Sequence, residues 1–150
     1  MSDVDKKVDS LMTILKENGY KYTDKRRLMI QVLVEEDRYI NAKYISEILW
    51  KDYPGLSFDT IYRNLSTYVD LGILEMTEIN GERFFKVSCI DTDHHHHHHI
   101  CLKCGKAKII HIDLCSKLDI EELKGYKVDS HKFEIYGLCP NCLKEEKENV

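Results

Sequence analysis

Two Cys-x2-Cys pairs, Cys101 with Cys104 and Cys139 with Cys142, lie 34 residues apart and are the tightest constraint on how this chain can fold. Thiolate is a preferred zinc ligand, and four thiolates at the corners of a tetrahedron leave no open coordination position. Such a site is structural rather than catalytic. Gly105 and Pro140 suit the tight turns that aim each pair of sulfurs. The separation exceeds that of a compact zinc ribbon, so the metal is expected to clip the first and last strands of a C-terminal unit together. Thiol–disulfide chemistry is the competing use of this motif. It needs a strand feeding a helix N-terminus that stabilises the thiolate, and neither pair is expected at such a junction.

Directly upstream stand six consecutive histidines, residues 94–99. The run is internal, framed by acidic residues and the first cysteine pair, unlike a terminal purification tag. Along an extended segment side chains alternate, so His94, His96 and His98 face one way and His95, His97 and His99 the other. Two ligand sets can therefore come from a single strand. Cys89 and Cys115 belong to neither pair. Cys115 is expected to be a small buried hydrophobe in a helix. Cys89 sits in a polar connector, where burial explains it less well. A thiolate, two imidazoles and a carboxylate make a good tetrahedral zinc site.

The start of the chain lacks the apolar core of a signal peptide, and no apolar run approaches membrane-spanning length. A cytoplasmic protein with no membrane partner is expected. In that compartment paired cysteines are more often metal ligands than disulfides. Net charge is −4, and residues 1–82 carry 11 Lys and Arg against 15 Asp and Glu. Any nucleic-acid contact must therefore use a local basic patch rather than a basic domain.

The first half reads as helices. Apolar spacing marks one over residues 4–17, which Asn18-Gly19 stops. Thr23 caps a second to about residue 36, Asn41 a third over residues 42–52, and Ser57 a fourth that Gly72 ends. In the fourth, Phe58, Ile61, Leu65 and Tyr68 share one stripe, while Asp59, Tyr62, Arg63, Ser66 and Thr67 occupy the other face. Two β-like runs, residues 73–79 and 82–87, are joined by Asn80-Gly81, a strong hairpin signal. Short helices followed by a hairpin are the layout of a winged helix-turn-helix. A plain helical bundle with an incidental hairpin is the alternative.

Past residue 87 the texture changes. A strand is expected over residues 106–112, a short helix over 114–123, a long strand over 126–138 and a frayed charged tail over 144–150. The expected fold class is α+β. A winged-helix DNA-binding domain would span residues 1–84, a hinge 85–92, and a C-terminal α/β dimerisation and metal-binding domain with a structural Zn(Cys)4 site 93–150.

The ordered set Tyr22-Thr23 with Arg26, Thr60-Ile-Tyr-Arg-Asn-Leu65, Leu71-Gly-Ile-Leu-Glu75, the histidine run with Ile-Cys-Leu-Lys-Cys-Gly105, and His131-Lys-Phe-Glu-Ile-Tyr-Gly-Leu-Cys-Pro-Asn-Cys142 resembles the ferric uptake regulator family of metal-sensing bacterial repressors. The likeness spans nearly the whole chain. Cys89 and the stretch Tyr53-Pro-Gly-Leu-Ser-Phe-Asp-Thr-Ile-Tyr-Arg-Asn-Leu65 look closest to its zinc-uptake regulator branch. The resemblance implies a homodimer on a palindromic double-stranded DNA operator, and assigns Cys101, Cys104, Cys139 and Cys142 to structural zinc. By position it implies a regulatory site of Glu75, Cys89, His96 and His98. A further site in some members would use His95, His97 and His131 with an acidic residue. That position is Ser116 here, so Asp113 or Asp119 would have to replace it. Iron and peroxide sensors also take a histidine from before the third helix, where this chain has Tyr39.

The expected function is therefore a zinc-dependent repressor of zinc-uptake genes and not an enzyme. Tyr62 and Arg63 would read bases, and Lys21, Tyr22, Lys25 and Arg26 would hold phosphates or reach the minor groove. An iron- or other metal-responsive regulator of the same family is the alternative, followed by a zinc-buffering protein. A zinc hydrolase or deaminase is disfavoured: there is no His-Glu-x-x-His helix, and in Cys139-Pro-Asn-Cys142 the proline follows the first cysteine rather than preceding it as in deaminases.

Overall fold

The computed structural model describes residues 1–89, 97–111, 120–129 and 131–148. The chain divides into two compact units, Met1–Asp91 and Thr92–Val150.

In the first unit the order is α1 (Asp3–Glu17), α2 (Asp24–Glu36), β1 (Ile40–Asn41), α3 (Ala42–Asp52), α4 (Phe58–Asp70), β2 (Leu74–Ile79) and β3 (Glu82–Val87). Each helix starts where a side chain can take an orphan backbone N–H. Ser2 and Asp5 form a reciprocal capping box on α1, Thr23 accepts from Arg26 N, Asn41 from Tyr44 N, and Ser57 from Thr60 N. Helix α2 stops at Asp37, which takes the left-handed conformation at φ 46°. Asn80 (φ 52°) and Gly81 (φ 81°) make the primed turn between β2 and β3. The resulting register pairs Ile79 with Glu82 and Leu74 with Val87. The short β1, not foreseen from the sequence, pairs with β3 and completes an antiparallel sheet of order β1-β3-β2.

The core of this unit lies between the helices and one face of that sheet. Val8, Leu11 and Leu15 of α1 meet Met29, Ile30 and Leu33 of α2, Ile45 and Leu49 of α3, Ile61 and Leu65 of α4, and Phe85 of β3. Of the stripe expected on α4, Ile61, Leu65 and Tyr68 are buried, but Phe58 is 46% exposed. Phe58 opens the helix, beyond the edge of the core, and its ring lies against Tyr62 instead. Four helices with a β-hairpin behind the last are the winged helix expected.

The second unit contains β4 (His97–Cys101), β5 (Ala107–Ile110), a 3-10 turn (Glu121–Leu123), β6 (Glu134–Gly137) and α5 (Pro140–Glu148). Its sheet has β4 at the centre, antiparallel to β5 and parallel to β6. Two expectations need correction. Residues 126–129 and 131–133 are not strand, so the expected long strand reduces to β6. The charged tail is not frayed up to residue 148: α5 starts at Pro140, where a proline's fixed φ and missing N–H are harmless. Of the helix expected over 114–123, residues 114–119 lie outside the described residues, and 121–123 form the 3-10 turn. The buried cluster here is Cys101, Cys139 and Cys142, with Cys104 and Leu138 packed on it.

Candidate metal centre and nucleic-acid interface

The four cysteines meet. Cys101 ends β4, Cys104 sits in the following turn, Cys139 follows β6, and Cys142 lies in the first turn of α5. The first turn closes through a bond of 2.9 Å from Gly105 N to Cys101 O, with Gly105 at φ 79°. The second closes through Leu143 N donating to Cys139 O at 2.9 Å. All four sulfurs lie within 4.8 Å of one another. Cys104 Sγ and Cys139 Sγ are 3.8 Å apart, and a tetrahedron with Zn–S bonds of about 2.3 Å has edges of about 3.8 Å.

The protonation pattern fits the same reading. Burial raises the Cys101 thiol, but N–H groups of Cys104, Cys139 and Lys103 outweigh it and bring it down to about 6. Burial and the neighbouring sulfurs push Cys142 up to about 12, and burial raises Cys104. The Cys101 thiolate forms readily while Cys104 and Cys142 resist ionising, so gathering further thiolates here needs a cation among them. The donor set, its burial and its size fit zinc. One expectation is corrected: the Cys139–Cys142 pair does sit where a strand feeds a helix N-terminus. Its sulfurs nevertheless face the other pair, and Cys89, Cys101, Cys104, Cys139 and Cys142 are all free of disulfides.

The residues matched to a regulatory site are divided between the units. Glu75 lies on β2 opposite Lys86, and one carboxylate oxygen, Oε2, is buried without a hydrogen-bond partner among the described residues. Cys89 is half-buried, two residues past β3, where Ser88 N donates to Ile73 O at 3.0 Å and continues the hairpin pairing. Both thus stand at the base of the hairpin. In the second unit His98 is buried on β4 between Ile109 and Glu134. His96 lies outside the described residues. A buried carboxylate oxygen without a donor costs free energy unless a cation meets it, so Glu75 fits a metal ligand. Tyr39, standing where the iron and peroxide sensors use a histidine, is buried.

Of the third group, His97 and His131 have ring centroids 5.6 Å apart, and His97 Nδ1 lies 3.2 Å from Phe133 O. His95, Asp113, Ser116 and Asp119 fall outside the described residues, as does Cys115. Among the described residues the cysteine quartet is the one group of three or more metal-ligating side chains whose donor atoms converge.

On the helical unit, the residues expected to meet nucleic acid lie on α4, at the start of α2 and in the loop before it. Arg63 is exposed and held by Asp59, one turn earlier, at 2.6 Å. Tyr62 accepts a hydrogen bond of 2.9 Å from Arg83 Nη1 on β3. Arg26 Nη1 donates to Lys21 O at 2.6 Å and lies over the Tyr20 ring, fixing the loop that presents Lys21 and the exposed Tyr22. Lys25 lies over the Tyr53 ring. A cleft of about 200 Å³ lined by Thr23, Lys25, Arg26, Met29, Leu56, Thr60 and Asn64 brings the N-terminus of α2 beside that of α4. Sequence reasoning missed the parts of Asp59 and Arg83. The i, i+4 spacing of Asp59 and Arg63 was a legible signal; Arg83 had none.

A family model described as the ferric uptake regulator family matches residues 17–136. The ferric uptake regulation protein of Staphylococcus aureus is 55% identical over 130 residues, spanning 86% of this chain and 93% of that protein. Among solved structures, a zinc uptake regulator complexed with zinc and DNA superposes with a TM-score of 0.76 over 98% of this chain and 99% of that one, at 18% identity. The Vibrio cholerae ferric uptake regulator gives 0.61 over 83% and 96%, at 29% identity. No helix among the described residues is long and apolar enough to cross a membrane. This chain belongs to the ferric uptake regulator family, and is a metal-responsive transcription regulator rather than an enzyme.

Proposed function

We propose that this protein is a zinc-responsive transcriptional repressor, acting in the cytoplasm as a homodimer on palindromic operators of zinc-uptake genes. The observation that carries the zinc reading is the pair at the base of the hairpin: the donor-less carboxylate oxygen of Glu75 and the half-buried thiol of Cys89. With His96 and His98 they make a set containing one soft ligand, which suits zinc better than an all-oxygen and nitrogen shell does. A metal held by those four residues would tie the reading head to the C-terminal unit. Glu75 acts through β2, which packs on the recognition helix α4. Strand β3 runs to Val87, so residues 85–87 of the proposed 85–92 hinge belong to the wing.

The C-terminal sheet supports dimerisation. Ile109, Phe133, Ile135 and Tyr136 on and beside its strands are exposed, apolar side chains that a second copy could cover. In a dimer the two copies of α4 would enter successive major grooves, about 34 Å apart. DNA must then tighten metal binding by the factor by which metal tightens DNA binding. Arg63 would reach a guanine edge, while Lys21, Tyr22, Lys25 and Arg26 hold the backbone.

A ferrous-iron-responsive repressor is the second reading, favoured by the name of the Staphylococcus aureus relative at 55% identity. Titrating zinc and ferrous iron separately into chelator-treated protein, while following binding to an AT-rich palindromic duplex, decides between them. Zinc is expected to switch on sequence-specific binding at the lower free concentration, with one zinc retained per protomer through mild chelation and one removed. Cys89→Ser should keep the retained zinc and the dimer yet lose the zinc response. A Cys89→Ser protein that still responds to zinc would overturn the sensor assignment, and a switch driven by iron alone would select the second reading.

A further inference from the structure

We infer that Arg83, on the wing, is a positioning residue for the recognition helix: its guanidinium fixes the Tyr62 phenol and turns it into a hydrogen-bond donor toward DNA. The inference rests on the DNA-reading role proposed above for Tyr62.

The hairpin register explains how a wing residue reaches α4. Along β3 alternate side chains share a face, and Arg83, Phe85 and Val87 follow one another on the same one. Phe85 and Val87 are buried in the core, so Arg83 extends that face just beyond the core's rim. Glu78 is its neighbour across the ladder, yet the guanidinium lies over the Tyr62 ring, 5.9 Å from the centroid. Nη1 donates to the phenolic oxygen at 2.9 Å. Phe85 meets the same ring edge-on at 6.2 Å, and Phe58 flanks it at 6.3 Å. Tyr62 is therefore held on three sides before any ligand arrives, and little rotamer freedom is left to lose on binding.

The direction of the bond sets the chemistry. A phenolic oxygen carries one proton and two lone pairs. Arg83 occupies a lone pair, so the proton points away from its guanidinium, and among the described residues the hydroxyl has no other hydrogen bond. Tyr62 then matches an acceptor: purine N7, guanine O6 or thymine O4 at a base edge, or a phosphate oxygen. The N4 amino group of cytosine, a donor itself, cannot receive that proton. The same guanidinium would, if it instead reached the duplex backbone itself, add affinity without sequence preference.

These two roles separate in one experiment. The probes are the tightest duplex recovered from a randomised pool by zinc-loaded protein, and the same duplex with each base pair changed singly. Binding is measured for the parent, Arg83→Met, Arg83→Lys, Tyr62→Phe and the Arg83→Met/Tyr62→Phe double variant, with melting temperature and zinc content as controls. Arg83→Met should lower discrimination about tenfold at the base pairs that Tyr62→Phe also affects, within the range of a single base contact. Arg83→Lys, which keeps a donor, should restore part of it, and Arg83→Met should add nothing in the Tyr62→Phe background. The inference is overturned if Arg83→Met weakens every duplex equally and reduces the salt slope by about 0.9, the signature of a lost phosphate contact. Multiplicative effects of Arg83→Met and Tyr62→Phe overturn it as well. If the parent protein enriches no sequence from the pool, the DNA-reading role fails and takes this inference with it.

Discussion

The two units of this chain reach a folded state by different means. In the N-terminal unit twenty buried side chains from four helices and a sheet form one apolar cluster. In the C-terminal unit, among the described residues, the buried cluster is three cysteines with Cys104 and Leu138 beside them. At roughly 25 cal/mol per Å² of apolar surface removed from water, the first has a driving force of its own. In the second, among the described residues, Ile100 is the one fully buried aliphatic side chain, and a structural metal is a usual remedy for so small a core. Its fold is thus expected to be linked to ligand binding, whereas the reading head's is not.

The sharpest way to break that contrast is Cys142→Ser. Structural zinc in small domains contributes apparent binding free energies of about 10–16 kcal/mol, so losing a ligand should unfold the C-terminal unit. Hydrogen-exchange protection is expected to vanish from β4, β6 and α5 and to persist in α1 to α4. Persisting protection in β4 would show that the sheet stands without the metal. Leu65→Ala tests the other side. Leu65 is fully buried on α4, and the variant should lose about 2–5 kcal/mol in denaturant unfolding of the N-terminal unit. Zinc retained by the cysteine quartet should not change.

Smaller effects sharpen the picture of the reading head. Asn41 accepts from Tyr44 N at 2.8 Å and donates to Glu82 Oε1 at 2.7 Å, tying the start of α3 to the wing. Asn41→Ala should cost about 1 kcal/mol, the usual worth of such a cap. A silent variant would mean that the cap bond is replaced by water. The smallest expected change is in Tyr68→Phe. The Tyr68 hydroxyl is buried without a hydrogen-bond partner among the described residues, and burial pushes its pKa up to about 12. Removing it should leave stability unchanged or raise it by up to about 1 kcal/mol. An unfolded tyrosine titrates near about 10. Between about pH 10 and 12 the unfolded chain therefore releases a proton that the folded one keeps, and stability falls as pH rises. The Phe variant should lack that contribution, which urea melts across the window would reveal.

Much of the helical unit was legible because its signals are short-ranged. The caps Thr23, Asn41 and Ser57 act on an N–H three residues away, and Asn80-Gly81 sets a turn through its own dihedral angles. The C-terminal unit was harder to read. Its strands are short, its apolar residues show no clean period, and a run of histidines becomes strand β4 by pairing with residues from two other segments. The second cysteine pair was misjudged for a related reason. Pro140 opening a helix is a local signal, but the polar composition of residues 144–148 pointed to a tail.

By itself the sequence determined the winged-helix order, the hairpin turn and the ligand types of the cysteine quartet. Each depends on residues within a few positions of one another, where dihedral preference and metal-ligand spacing act directly. Only the tertiary structure decided that Arg83 grips Tyr62, that Lys86 is buried with its ammonium 3.4 Å from Asp37, and that β6 runs parallel to β4. Those contacts join residues far apart along the chain. Hairpin register, helix phase and the competition for space in a filled core settle them, and no local spacing encodes any of the three.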